Sequence, residues 1–296
     1  MTDLSTSAPL APTAPTAPSE SLVPLAPLGT KFKLEKQITP EQQAFLDHYG
    51  YLHFENVLSL EEVQMVRDEQ DRLQAQWIAE KKEKIRGVPL AYGKGLNHEP
   101  ILHRMPFCSE FSEPLRKLLD DVRFDPIKGL IGENVRVGHI EQDGVVMNRY
   151  VNIPGGVHPR LGWHTDGLRD IFYGRMPQRM LNFGLHLDRI TAKDGGLRIL
   201  PCTHLQGFFS MAFKKPYFIS HHTDPNELCV ETNPGDMTVH DGRLWHRVAQ
   251  SQVENAERRS LFVPYMTGEP IIKDENSPTA LYQVIAKWMR KMKGGK

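Results

Sequence analysis

Residues 179–201 read RMLNFGLHLDRITAKDGGLRILP. Two short runs containing branched or aromatic side chains are separated by a Gly-Gly break and ended by a proline, the texture of two strands joined by a turn. The texture extends to both sides. From Asn134 onward the chain offers NVRVGHIEQ (134–142), GVVMNRYVNI (144–153), ELCVETN (227–233), GDMTVHDG (235–242), LWHRVAQ (244–250) and RRSLFVPYM (258–266). Many short strands at close intervals, with no helix long enough to alternate with them, predict an antiparallel sandwich or jelly roll. No internal repeat is visible.

Upstream, ITPEQQAFLDHYG (38–50) places Thr39 as N-cap, Pro40 at the first helical position, Gln42 three residues after the cap and Gly50 as the stop. YLHFENV (51–57) reads as a short strand. A second helix follows, with Ser59 as cap and Glu62 closing a capping box. Its Leu60, Val63, Val66 and Leu73 share one stripe expected to face the core. The stretch RGVPLAYGKGLNHEPILHRMP (86–106) is expected to be a long loop suited to act as a lid. A last helix is predicted from Ser277 to Gly294. The expected fold class is mainly β with flanking α: a double-stranded β-helix (jelly roll, cupin-like) core with N-terminal helices and a C-terminal helix.

At 296 residues and 40% hydrophobic content the chain can bury a sizeable core. Lys+Arg and Asp+Glu are both 36, so no net basic field points to nucleic acid or an anionic membrane as partner. Three unevenly spaced cysteines without a Cys-x-x-Cys pair argue against a disulfide framework and fit a reducing cytoplasm. No apolar run approaches the roughly 20 residues needed to span a bilayer. Residues 1–30, biased to Pro, Ala, Ser and Thr, are expected to form a disordered tail, leaving 31–296 as one domain.

His164-Thr165-Asp166 has the right spacing to present an imidazole and a carboxylate from one strand face to one ion. Spacing alone cannot single it out, because His186-Leu187-Asp188 and His222-Thr223-Asp224 share it. His246, on a predicted strand just after a turn, is the best third ligand. Two imidazoles and one carboxylate suit non-haem Fe(II) and O2 chemistry; zinc accepts the same ligands. Arg258 and Arg259 begin the next strand, where one of them would face inward and could hold a dicarboxylate. His240 and Asp241 are expected to shape a turn.

Taken in order, these features resemble the phytanoyl-CoA dioxygenase family of Fe(II)- and 2-oxoglutarate-dependent oxygenases, from about Thr39 to Tyr265. GWHTD (162–166) is similar to its first metal-ligand segment, DGGLRILPCTH (194–204) to its Pro-Gly-Ser-His segment, and PGDMTVHDGRLWHRV with RRSLFVPY to its distal His and Arg strands. The resemblance implies that His164, Asp166 and His246 bind iron and that Arg258 pairs with 2-oxoglutarate. Arg258 stands twelve residues after His246 (258 − 246), one more than the usual family spacing, so Arg259 stays an alternative. Asn182 falls where the family often places a cosubstrate contact. Cys202 replaces the glycine common in the Pro-Gly-Ser-His turn.

The implied reaction uses O2 to decarboxylate 2-oxoglutarate to succinate and carbon dioxide while oxidising an unactivated C–H bond of a small molecule. Asp166 argues against chlorination, since related halogenases lack this carboxylate. Around the metal segments lie His158, Arg160, Arg169, Arg175, Arg179, Arg198, Arg243 and Arg247, a set that would suit an anionic substrate. Arg169, Arg175 and Arg247, with Asn148 and Tyr150 on the preceding strand, are the substrate candidates. Two other readings stay open: a non-catalytic jelly-roll binding protein, and a metal enzyme that does not use 2-oxoglutarate.

Overall fold

The computed structural model describes residues 23–132, 134–156, 159–280 and 283–284. Helix α1 (Pro40–Tyr49) carries a complete capping box between Thr39 and Gln42 and ends at Gly50 in the left-handed region. Helix α2 (Leu60–Ala79) starts from a complete Ser59–Glu62 box. Each cap contributes about 1 kcal/mol. The buried stripe of α2 is Val63, Val66, Gln70, Leu73 and Trp77. Leu60 does not belong to it: at 70% exposure, the first helical residue lies beyond the packed face.

The strands in chain order are β1 (Tyr51–Phe54), the hairpin β2 (Lys84–Ile85) and β3 (Val88–Pro89), β4 (Ala91–Lys94), β5 (Pro100–Met105), β6 (Arg136–Val137) and β7 (Val146–Asn152). They continue with β8 (Leu161–His164), β9 (Met180–His186), β10 (Gly196–Ile199), β11 (Leu228–Cys229), β12 (Met237–Asp241), β13 (His246–Ala249) and β14 (Ala256–Met266). The large sheet runs β1-β12-β9-β14-β7-β5-β4 with β6 beside β14; the small one runs β11-β10-β13-β8. All pairings between these strands are antiparallel. The jelly-roll expectation therefore holds.

The expected lid at 86–106 is instead sheet. Ile101, Leu102 and Met105 are fully buried, and β5 pairs with β4 on one side and β7 on the other. Burial of these three side chains and pairing on both sides of β5 make strands of what was expected to be a long loop.

Alternation along the large sheet sorts its faces. Leu181, Phe183 and Leu185 of β9, Met237 and Val239 of β12, and Leu261, Val263 and Tyr265 of β14 join one apolar core with the α1 and α2 stripes. The intervening residues face the small sheet and are largely polar: Asn182 and His186, Thr238 and His240, Arg258 and Ser260. The small sheet alternates likewise, with Trp163 and Trp245 packed together on its outer side.

The tail expected over 1–30 lies outside the described residues up to 22. Residues 23–30 are mostly exposed but touch the domain at two points, with Ala26 buried and the Gly29 amide donating to the Tyr51 hydroxyl at 3.1 Å. Of the predicted C-terminal helix, all but 277–280 and 283–284 lies outside the described residues, as does His158. Among the described residues, no helix is long and apolar enough to cross a membrane.

Candidate metal centre and adjoining cavity

His164 and His246 are directly opposite each other on β8 and β13, and their rings lie 4.1 Å apart between centroids. Each Nδ1 donates to a nearby carbonyl, His164 to Gly162 at 2.8 Å and His246 to Leu244 at 2.9 Å. Both rings are thereby held with Nε2 as the free acceptor, the orientation a metal-binding histidine needs. Asp166 is not on the strand. It follows the end of β8 with φ −74 and ψ −34, opening a 3-10 turn (Gly167–Tyr173). That turn brings its carboxylate to 4.0 Å from His164 Nε2 and 3.7 Å from His246 Nε2. All three side chains are buried, and their ligand atoms lie within 4.8 Å of one another.

The donor set fits a divalent metal. Asp166 Oδ1 is buried, and although an Arg169 guanidinium nitrogen lies 2.8 Å away, no N–H is aimed at this oxygen. Burial works to raise the Asp166 pKa, but Arg169, His246, His240 and His164 together hold it well below the usual carboxylate range. Burial pushes His164 down to about 4 and His246 well below its usual value. The triad thus stands as two neutral imidazoles and a carboxylate, the protonation state that metal binding requires.

Asn182 Nδ2 donates to Asp166 Oδ2 at 2.9 Å, so this residue orients the carboxylate. His240 also reaches Oδ2, with Nε2 at 3.4 Å, and its ring lies 4.5 Å from that of His246. His240 thus faces Asp166 and His246; of the two residues expected to shape the turn, Asp241 is the one bonded into it, accepting from the Arg243 amide at 2.8 Å. Outside the triad, the Phe218 ring stacks on His164 at 4.6 Å. Its backbone sits at φ 59 and pairs with Trp163, so this segment covers the edge of β8. Gly162 permits the approach: a Cβ there would lie 2.4 Å from the Phe218 carbonyl oxygen.

Between the sheets lies a cavity of ≈ 30 Å³ whose lining includes Tyr150, His186, Leu197, Val248, Arg258 and Phe262. Arg258 is buried and lines it, as does its neighbour Arg259. Arg258 donates to the carbonyls of Asp194 and Ala249 at 2.9 and 2.6 Å and lies over the Tyr150 ring at 4.8 Å. Gly195, at φ 82, makes this cradle: a Cβ would meet the Ala249 carbonyl at 2.4 Å. Burial pushes the Arg258 pKa down to about 10, which leaves it charged at neutral pH. Arg259 mainly pairs elsewhere, with Glu257 at 2.8 Å and Asp71 at 2.9 Å.

The substrate candidates divide. Tyr150 lies under Arg258, and Asn148 shares its strand face two residues away. Arg169 sits on Asp166 and also reaches Asp143 at 3.5 Å. Arg175 is held by Asp170 at 3.0 Å and by the Glu269 carbonyl. Arg247, next to His246 on its strand, points to the opposite face, where Glu227 takes it at both oxygens and Trp163 lies beneath it. The last two are therefore structural ion pairs, displaced from the centre by strand alternation and by a local acid. The sequence did not single out Phe218 or the approach of His240 to Asp166. A polar residue at every second position of an otherwise apolar strand was the available signal for His240.

A jelly roll with two histidines and a carboxylate converging between its sheets defines a metal-centre protein of the oxygenase type. The chain belongs to the phytanoyl-CoA dioxygenase (PhyH) family, which it matches over residues 46–257. No curated protein matches it significantly. Among solved structures it is similar to HygX from Streptomyces hygroscopicus with nickel and 2-oxoglutarate bound, at 17% identity, TM-score 0.57, covering 82% of this chain and 93% of that one. It is also similar to EvdO2 from Micromonospora carbonacea var. aurantiaca complexed with 2-oxoglutarate (18%, 0.53, covering 81% and 95%). A third is the epimerase SnoN in complex with Fe3+, alpha ketoglutarate and nogalamycin RO (18%, 0.53, covering 79% and 85%). At these identities the likeness speaks to the fold.

Proposed function

We propose that this protein is an Fe(II)- and 2-oxoglutarate-dependent oxygenase that oxidises an unactivated C–H bond of a small molecule, releasing succinate and carbon dioxide. The observation that carries the reading is the convergence of buried His164, Asp166 and His246 between the two sheets. The triad would hold the metal, which when bound supplies the site where O2 is activated. Arg258 would take the distal carboxylate of 2-oxoglutarate as a charge-assisted pair, with Tyr150 beneath it. Phe218 shields the outer side of His164 from water.

The pairing of the nearby arginines bears on the substrate. Arg175, Arg243 and Arg247 are each committed to an acid, and Arg198 to the carbonyls of Gly195 and Ala192. Phe172 is half exposed beside Tyr217, whose hydroxyl is tied to the Thr165 carbonyl at 2.7 Å. This supports a substrate that does not rely on these four guanidiniums, in preference to an anionic group held by them.

Anaerobic Fe(II) plus 2-oxoglutarate is expected to give a visible charge-transfer band that His164→Ala abolishes. A wild-type protein without that band would refute the reading. A succinate-release screen that pairs neutral compounds with their carboxylated or phosphorylated analogues then tests the substrate class, and preference for the anionic members would overturn it.

A further inference from the structure

We propose that His240 is a positioning residue that, together with Asn182, fixes the orientation of the Asp166 carboxylate in the metal centre. This rests on the metal-centre reading above. His240 is 1% exposed and projects from β12 into the space between the sheets. A carboxylate only accepts, so the His240 Nε2 facing Asp166 Oδ2 carries the hydrogen and Nδ1 is left as an acceptor. That Nδ1 is buried and has no hydrogen-bond partner among the described residues. A buried ring with one nitrogen unmet is poorly explained as core filling, which a leucine would do without the desolvation cost.

The position has a direct consequence for the ligand. Asp166 Oδ2 receives two donors, from Asn182 and His240, whereas Oδ1 is approached by the Arg169 guanidinium at 2.8 Å. Donors on Oδ2 pin the carboxylate plane, which would keep the side chain in place for a metal held between it and the two imidazoles. The same ring lies beside that of His246, tilted by 55°, so it also limits the swing of a second ligand about its Nδ1 tether. His240 thus touches two of the three metal-binding side chains.

The test compares wild type, His240→Gln and His240→Ala. The glutamine amide can replace the Nε2 donor; alanine cannot. Mn(II) affinity of the metal-free protein, read from the free-ion signal in electron paramagnetic resonance, should weaken about 10- to 100-fold in His240→Ala and largely recover in His240→Gln. The anaerobic Fe(II)·2-oxoglutarate band should follow the same order. His240→Leu, closer in volume, takes the place of alanine if that variant does not fold. Wild-type affinity in the alanine or leucine variant would overturn the proposal, as would an equal loss in glutamine, which would make the role one of packing. Failure of the wild type to bind Mn(II) would remove the metal-centre reading and this inference with it; a null result confined to the variants removes His240 alone.

Discussion

His164-Thr165-Asp166 and His186-Leu187-Asp188 have the same spacing, and each histidine ends a strand with its ring turned between the sheets. They differ in what the chain does next. After His164 a 3-10 turn begins at Asp166 and returns the carboxylate to the imidazole. After His186, whose Nε2 meets the Thr238 hydroxyl at 2.9 Å, the chain leaves the interior and Asp188 accepts from the Arg67 guanidinium and the Arg259 amide. One motif makes a centre and the other a brace. The spacing is therefore worth little without the backbone that follows it.

The largest effect should separate the two aspartates. Asp166→Ala is expected to weaken Mn(II) binding by about 100-fold or more, beyond the loss typical of an outer partner. Asp188→Ala should leave Mn(II) affinity unchanged and lower stability by roughly 1–3 kcal/mol, because it strands a backbone N–H and a guanidinium. Titration calorimetry with denaturant unfolding checks both. Loss of metal in the Asp188 variant would erase the distinction.

A similar contrast holds for adjacent residues on β14. Arg258→Ala should raise the dissociation constant of 2-oxoglutarate for the Mn(II)-loaded protein by about 100-fold, in line with truncating one side of a buried charge pair at roughly 2–5 kcal/mol. Arg259→Ala should change it by no more than about twofold and cost under about 1 kcal/mol of stability, its Asp71 partner being half exposed. The reverse ranking would move the cosubstrate to the other face of the strand.

What was legible in the sequence follows the range of the forces involved. Both capping boxes were readable because cap and partner lie three residues apart. The jelly roll was readable from strand length and punctuation, and the three candidate ligands were proposed from the order of the motifs. Less legible was anything decided by a distant partner. Arg247 reads as a cavity residue until Glu227, twenty positions away, takes it. The stretch 86–106 reads as a loop until β7 pairs with β5. Cys202 kept the turn that glycine would favour: it adopts φ 65, a region costly for a side-chain-bearing residue, with its amide bonded to the Tyr49 carbonyl.

The smallest expected effect returns to the two histidines. Burial pushes His186 down to about 3 and His139, away from either motif, to about 4. An unfolded histidine takes up its proton near pH 6.5, whereas these folded ones resist until pH 3–4. Between those limits the unfolded chain binds more protons, so stability falls as pH drops from about 6.5 toward 4. The contribution is at most about 1.4 kcal/mol per pH unit for each group. His186→Gln, which preserves a partner for Thr238, should flatten this dependence in thermal unfolding between pH 7 and 5, with or without Mn(II). His164 lies on the same side of the balance, but there Mn(II) competes with the proton. The stability that Mn(II) adds should therefore shrink as pH approaches 4, and should do so equally in the His186→Gln background. A variant whose slope matches the wild type would place the burden of acid sensitivity on other groups and leave the two imidazoles energetically alike.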